Sequence, residues 1–141
     1  MINGYGGNIL RVNLSTGRIT KEPVTQELAQ DWLGGRGFII KTLWDELKPG
    51  TPPLSPDNKV IIASGPLAGV LVPSGGKLAL GAKSPATGGY GDSNMGGTLA
   101  AELKHAGYDA IIVEGASDRP CYLYIEDDKV EMRDGSKYWG Q

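Results

Sequence analysis

Apolar and polar residues alternate near both ends of the chain, and between those ends stretches of helical spacing alternate with short continuous apolar runs. Leu10, Val12 and Leu14 are separated by Arg11 and Asn13, a period of two that gives a strand one buried face. Ser15-Thr16-Gly17 supplies a turn and Ile19 continues on the far side, so Asn8 to Lys21 reads as a hairpin. Thr25 is placed to cap a helix through Leu28, Ala29, Trp32 and Leu33, which Gly34-Gly35 ends. A second helix, from about Gly37 to Leu47, is expected to bury Phe38, Ile39, Leu43, Trp44 and Leu47. Pro49 to Pro56 holds four of the nine prolines and reads as a loop.

Further on, Val60 to Ala63 is a short apolar strand stopped by Gly65-Pro66, and Leu78 to Ala82 is another. Thr98 to His105 reads as a helix with Gly107 just past its end, and Ala110 to Glu114 as a strand. Cys121 to Arg133 makes a closing hairpin around Glu126-Asp127-Asp128. Hairpins first and last, with helices between, predict an α+β fold: twisted, largely antiparallel sheets with flanking helices. The likeness of the two hairpins raises the expectation of two similar halves.

The length, 141 residues, is that of one domain, so residues 1–141 are read as one unit. Net charge is -2, which carries no basic footprint for nucleic acid. No apolar run approaches the roughly 20 residues of a membrane-spanning helix. The polar, glycine-rich start lacks a secretory pattern, so a cytoplasmic location is expected. The one cysteine, Cys121, rules out an internal disulfide and an all-cysteine cluster site made by this chain alone. It is expected to be a small buried residue, and the single His105 a structural one.

Ten glycines crowd the stretch from Ser74 to Gly115. Such density fits either tight turns or close backbone approach to a phosphate-bearing ligand. Gly96-Gly97 precede the helix at Thr98, whose first N–H groups and positive dipole end favour an anion. No Walker A loop or dinucleotide fingerprint accompanies them. Lys77 and Lys83 supply cations that suit either a phosphate or solvent. Asn94 offers hard oxygen ligands for Mg²⁺, or forms a turn; Asp92 is similar. Arg36, between two glycines, either reaches an anion or caps the first helix. No nucleophile–base set or paired carboxylates are visible.

Several segments, taken in order, carry a family resemblance: GNILRVNLSTG, WLGGRG, LSPDNKVIIASGPLAG, PSGGK, KSPATGG, SNMGG, AELKHAGYDAIIVEG and YLYIEDDKVEMRD. Over residues 4–141 the chain resembles the N-terminal domain of the tungsten-containing aldehyde ferredoxin oxidoreductases. The resemblance implies a base for a bis-pterin tungsten (or molybdenum) cofactor, with Mg²⁺ bridging the pterin phosphates. It implies that Lys77, Gly96 and Gly97 contact the cofactor and that Asn94 contacts the magnesium. Lys77 departs from the pattern, since arginine is expected there, and lysine keeps the charge without the bidentate fork. The implied reaction oxidises an aldehyde to a carboxylic acid, passing electrons through a four-iron cluster to ferredoxin. The cluster ligands belong outside this chain, in further domains or a partner subunit. The chain alone is therefore expected to be inactive and free of cofactor, with a homodimer as one assembly.

Overall fold

The computed structural model describes residues 2–141, and statements of absence below concern those residues. Eight strands and three helices follow in the order β1 (Asn8–Asn13), β2 (Arg18–Pro23), α1 (Gln26–Trp32), α2 (Arg36–Glu46), β3 (Lys59–Ser64), β4 (Leu78–Lys83), β5 (Tyr90–Met95), α3 (Leu99–His105), β6 (Tyr108–Glu114), β7 (Cys121–Glu126) and β8 (Lys129–Asp134). A short 3₁₀ turn, Ser136–Tyr138, closes the chain. Six strands form one sheet in the order β2-β1-β6-β3-β4-β5, while β7 and β8 form a separate ribbon. Only the β1–β6 pair is parallel; the other pairs are antiparallel. The fold is α+β with a largely antiparallel sheet. The two hairpins differ in placement, one inside the large sheet and one outside it, so their likeness in pattern does not make two like halves.

The large sheet is covered on both faces. On one face, α1 and α2 bring Ala29, Phe38, Ile39 and Leu43 against Ile9, Ile61, Ala79 and Ile112. On the other, α3 and the β7–β8 ribbon meet Leu10, Val12, Leu78 and Ile111. Strand alternation sends neighbouring residues to opposite faces, which is why Leu78 and Ala79 belong to different clusters. Thr25 caps α1 as its sequence suggested, its hydroxyl accepting from the Leu28 amide at 3.1 Å.

The turn between α1 and α2 admits glycine for steric reasons. A Cβ on Gly34 would meet the Ser64 carbonyl oxygen at 2.8 Å, and one on Gly37 would overlap the Trp32 carbonyl oxygen at 1.9 Å. Trp44 departs from expectation, being 84% exposed. Helical spacing groups it with Ile40 and Leu47, but α2 turns that edge toward an open apolar groove with Tyr90 rather than into the core. Cys121 is half-buried, at the start of a ribbon one side of which faces solvent.

A buried tether fixes the far end of α3. Asp109 is fully buried and accepts from the amides of Gly6 and Gly7 at 3.1 and 2.7 Å. The Lys104 ammonium pairs with the same carboxylate and also donates to the Gly4 carbonyl at 3.2 Å.

Candidate cofactor-binding site

Strand β5 is the element the sequence pattern concealed. Its segment, YGDSNM, has almost no apolar alternation, because both faces of this edge strand are open. Backbone pairing with β4 holds it: Leu78 lies opposite Met95, Ala79 opposite Asn94, and Gly81 opposite Asp92. Asn94 therefore sits on a strand, not in a turn at a helix mouth.

The register runs on past the last paired residues. A Cβ on Gly76 would stand 2.6 Å from the Gly97 carbonyl oxygen, so the two backbones touch. Extending the pairing puts Lys77 opposite Gly96. The four residues singled out in the sequence, Lys77, Asn94, Gly96 and Gly97, thus gather at one corner of the sheet, and all are exposed. A Cβ at Gly96 or Gly97 would meet nothing within 4 Å, which leaves bare backbone facing open space. Gly97 also has φ +113°, a conformation that favours glycine.

Face matters as much as position. Ala79 packs under α2, and a Cβ on Gly35 would lie 4.0 Å from its methyl group. Paired residues in an antiparallel ladder share a face, so Asn94 and Asp92 stand on the α2 side with Ala79 and Gly81. The pleat puts Lys77 on that side too. At the first residue of α2, Arg36 is 55% exposed along its side chain, and its guanidinium pairs with Asp92. Sequence reading left Arg36 between an anion and a cap. It does not cap α1; it reaches across to the strand that carries Asn94.

The helix after Gly97 contributes less than its sequence suggests. It is seven residues long, and Thr98, itself in helical conformation, makes no side-chain cap bond. The corner offers exposed groups on an open surface, not a closed pocket. Lys83 belongs elsewhere, its ammonium donating to the Thr51 carbonyl at 2.6 Å. His105 packs near Gly69, where an added Cβ would lie 3.3 Å from Nε2.

A second polar cluster lies away from this corner. Arg11 holds Glu46 with two bonds of 2.9 and 2.5 Å and pairs with Glu22 at 2.6 Å. Lys59 pairs with Glu114 and lies 3.2 Å from Glu46. The Lys59 bond, with help from Asn13, holds the Glu114 carboxyl below its ordinary range. Burial pushes Glu46 upward, but Arg11 and Lys59 together outweigh it and leave its pKa lowered. Arg11, Glu22, Glu46 and Glu114 line a cavity of about 560 Å³, where their charges are paired, although the Arg11 Nε makes no hydrogen bond. No group of three or more His, Cys, Asp or Glu among the described residues is placed to hold a metal. No helix among them is long and apolar enough to cross a membrane.

Comparison with known proteins agrees with the fold. A family model described as "Aldehyde ferredoxin oxidoreductase, N-terminal domain" matches residues 9–141. The chain belongs to this family. As a family member it is 54% identical over 138 residues to the tungsten-containing aldehyde ferredoxin oxidoreductase of Pyrococcus horikoshii, covering 98% of this chain and 23% of that protein. The Pyrococcus furiosus enzyme of the same name is 51% identical over the same shares. The aliphatic sulfonate oxidoreductase WOR-like subunit of Pyrococcus furiosus is 37% identical, over 96% of this chain and 22% of that one. Among solved structures, the active-site complex BamBC of benzoyl coenzyme A reductase with 1,5-dienoyl-CoA matches at TM-score 0.96 and 40% identity. That match covers 99% of this chain and 21% of the other. This aldehyde ferredoxin oxidoreductase-family chain thus spans less than a quarter of the length of these relatives.

Proposed function

We propose that this chain is the cofactor-binding N-terminal portion of an oxidoreductase that converts aldehydes to carboxylic acids. In this reading residues 1–141 belong to the first domain of a larger assembly. The carrying observation is the register of β4 and β5, which gathers Lys77, Asn94, Gly96 and Gly97 at one open corner. Relatives more than half identical are named as tungsten-containing enzymes, which supports tungsten in the whole protein; the proposal seats it as a pterin-held centre with Mg²⁺ at that corner. When bound, such a centre supplies two-electron redox chemistry that no side chain here provides.

The residues present fit the group. Lys77 offers a point charge to a phosphate, and Asn94 offers an amide oxygen to Mg²⁺. The bare backbone at Gly96 and Gly97 lets a flat ring system approach closely. All four are exposed, so the second half of the enclosure must come from other domains or a partner subunit. That part would also hold the four-iron cluster that passes electrons to ferredoxin. The chain by itself therefore binds weakly and does not turn over.

A second reading is a relative with different redox chemistry. The likeness to the benzoyl coenzyme A reductase complex and to the sulfonate oxidoreductase subunit favours it, because proteins named for different reactions match this chain over almost its whole length. Both readings use the corner in the same way and differ in the substrate pocket, which lies outside these residues. A third, a scaffold that keeps the fold without a ligand, gives Lys77 and Asn94 no task.

Titrating the chain with a pterin phosphate and Mg²⁺, followed by calorimetry or amide NMR shifts, tests the proposal. Binding that disappears in the Lys77→Ala/Asn94→Ala double variant supports it. Equal binding by both proteins overturns the assignment to Lys77 and Asn94, and no binding by either at millimolar ligand overturns the proposal in favour of the scaffold.

A further inference from the structure

We propose that Arg36 is a second cationic contact for the phosphate bound at the Asn94 corner, and that Asp92 holds it in place until the anion arrives. This rests on the proposed cofactor corner and adds a residue to it.

Three observations converge. Arg36 pairs with Asp92, which lies two residues from Asn94 on the same strand and the same sheet face. Side chains so related are about 7 Å apart, within the sweep of an arginine. Gly35, immediately before Arg36, rests on Ala79, the residue directly opposite Asn94. The backbone that carries Arg36 is thus seated over the rung that carries the proposed magnesium contact. Finally, the Arg36 side chain is more than half exposed while that of Asp92 is more covered. An exposed pair of this kind is held weakly and can exchange partners at little cost.

The chemistry suits the exchange. Guanidinium presents a planar fork that matches phosphate, whereas ammonium is a point charge. Lysine stands at position 77, so the fork missing from that position is available from Arg36 across the strand. Asp92 would otherwise repel an arriving phosphate; pairing with Arg36 masks its charge in the free protein.

A purely structural alternative has Arg36 and Asp92 merely fastening α2 to β5. The two ideas predict opposite signs for one variant. Inorganic pyrophosphate with Mg²⁺ serves as probe, titrated into the whole chain and followed by amide NMR shifts at low and high salt. On our proposal Arg36→Ala weakens binding up to about five-fold and lessens its salt dependence. Asp92→Asn strengthens binding, because the competing carboxylate is gone. Arg36→Lys falls between parent and Arg36→Ala. If the pair only fastens, Arg36→Ala and Asp92→Asn weaken binding alike and lower the melting temperature alike, and the proposal fails. Loss of binding in Lys77→Ala with no change in Arg36→Ala sinks this inference and leaves the corner intact. Absence of binding in the parent chain sinks both.

Discussion

The carbonyl oxygen of Gly97 lies 2.6 Å from where a Cβ on Gly76 would stand. Two backbones that close tolerate no side chain between them, and this contact joins the loop before β4 to the loop after β5. Gly76→Ala is expected to part the strands at the corner and cost about 2 kcal/mol. A thermal melt measures the cost, and amide shifts confined to residues near 76 and 97 locate it. An unchanged melting temperature and spectrum would show that the contact is slack.

Asp109 is fully buried, and its charge is balanced by Lys104. Lys104→Met leaves that carboxylate with two backbone amides and no cation. Breaking a buried pair from one side typically costs about 3–5 kcal/mol. Denaturant unfolding of the variant should show a loss of that order. A loss within experimental error would mean that Gly6 and Gly7 alone satisfy Asp109.

Acid should unfold the chain through its paired glutamates. Glu114 and Glu46 both titrate below their ordinary value of 4.5 in the folded state. A depressed folded pKa contributes stability above the unfolded pKa, and that contribution is lost as pH falls through the folded one. Stability is therefore expected to hold from neutral pH to near 4.5 and to drop below it. Glu114→Gln should flatten part of that acid limb. An identical pH profile in the variant would remove Glu114 from the account.

Trp44 projects into solvent at 84% exposure. Trp44→Gln should leave stability within about 0.5 kcal/mol, as surface substitutions do. Phe38→Ala, on the same helix but 1% exposed, should cost about 3–5 kcal/mol. Comparable losses in the two variants would mean that α2 is turned the other way.

Where local physics dictates structure, the elements were legible. The β1–β2 hairpin, the Thr25 cap and the apolar strands β3 and β6 follow from alternation, capping and turn residues whose energetics act within a few positions. Strand β5 was not legible, because an edge strand open on both faces needs no apolar period and is held by its partner's backbone. The exposure of Trp44 was hidden for a related reason: helical spacing says which residues share an edge, not what that edge meets.

The same division governs the site. Lys77, Asn94, Gly96 and Gly97 stood out as residue types suited to an anion and a metal, and the ordered segments around them sufficed to suggest the family. That Lys77 lies across from Gly96, and that Arg36 and Asp92 share a face with Asn94, depended on the strand register and on where α2 rests. The Arg36–Asp92 pair alone joins residues 56 positions apart. Residue chemistry and short-range periodicity are written along the chain; the meeting of distant residues is settled by which surfaces bury one another when the sheet assembles.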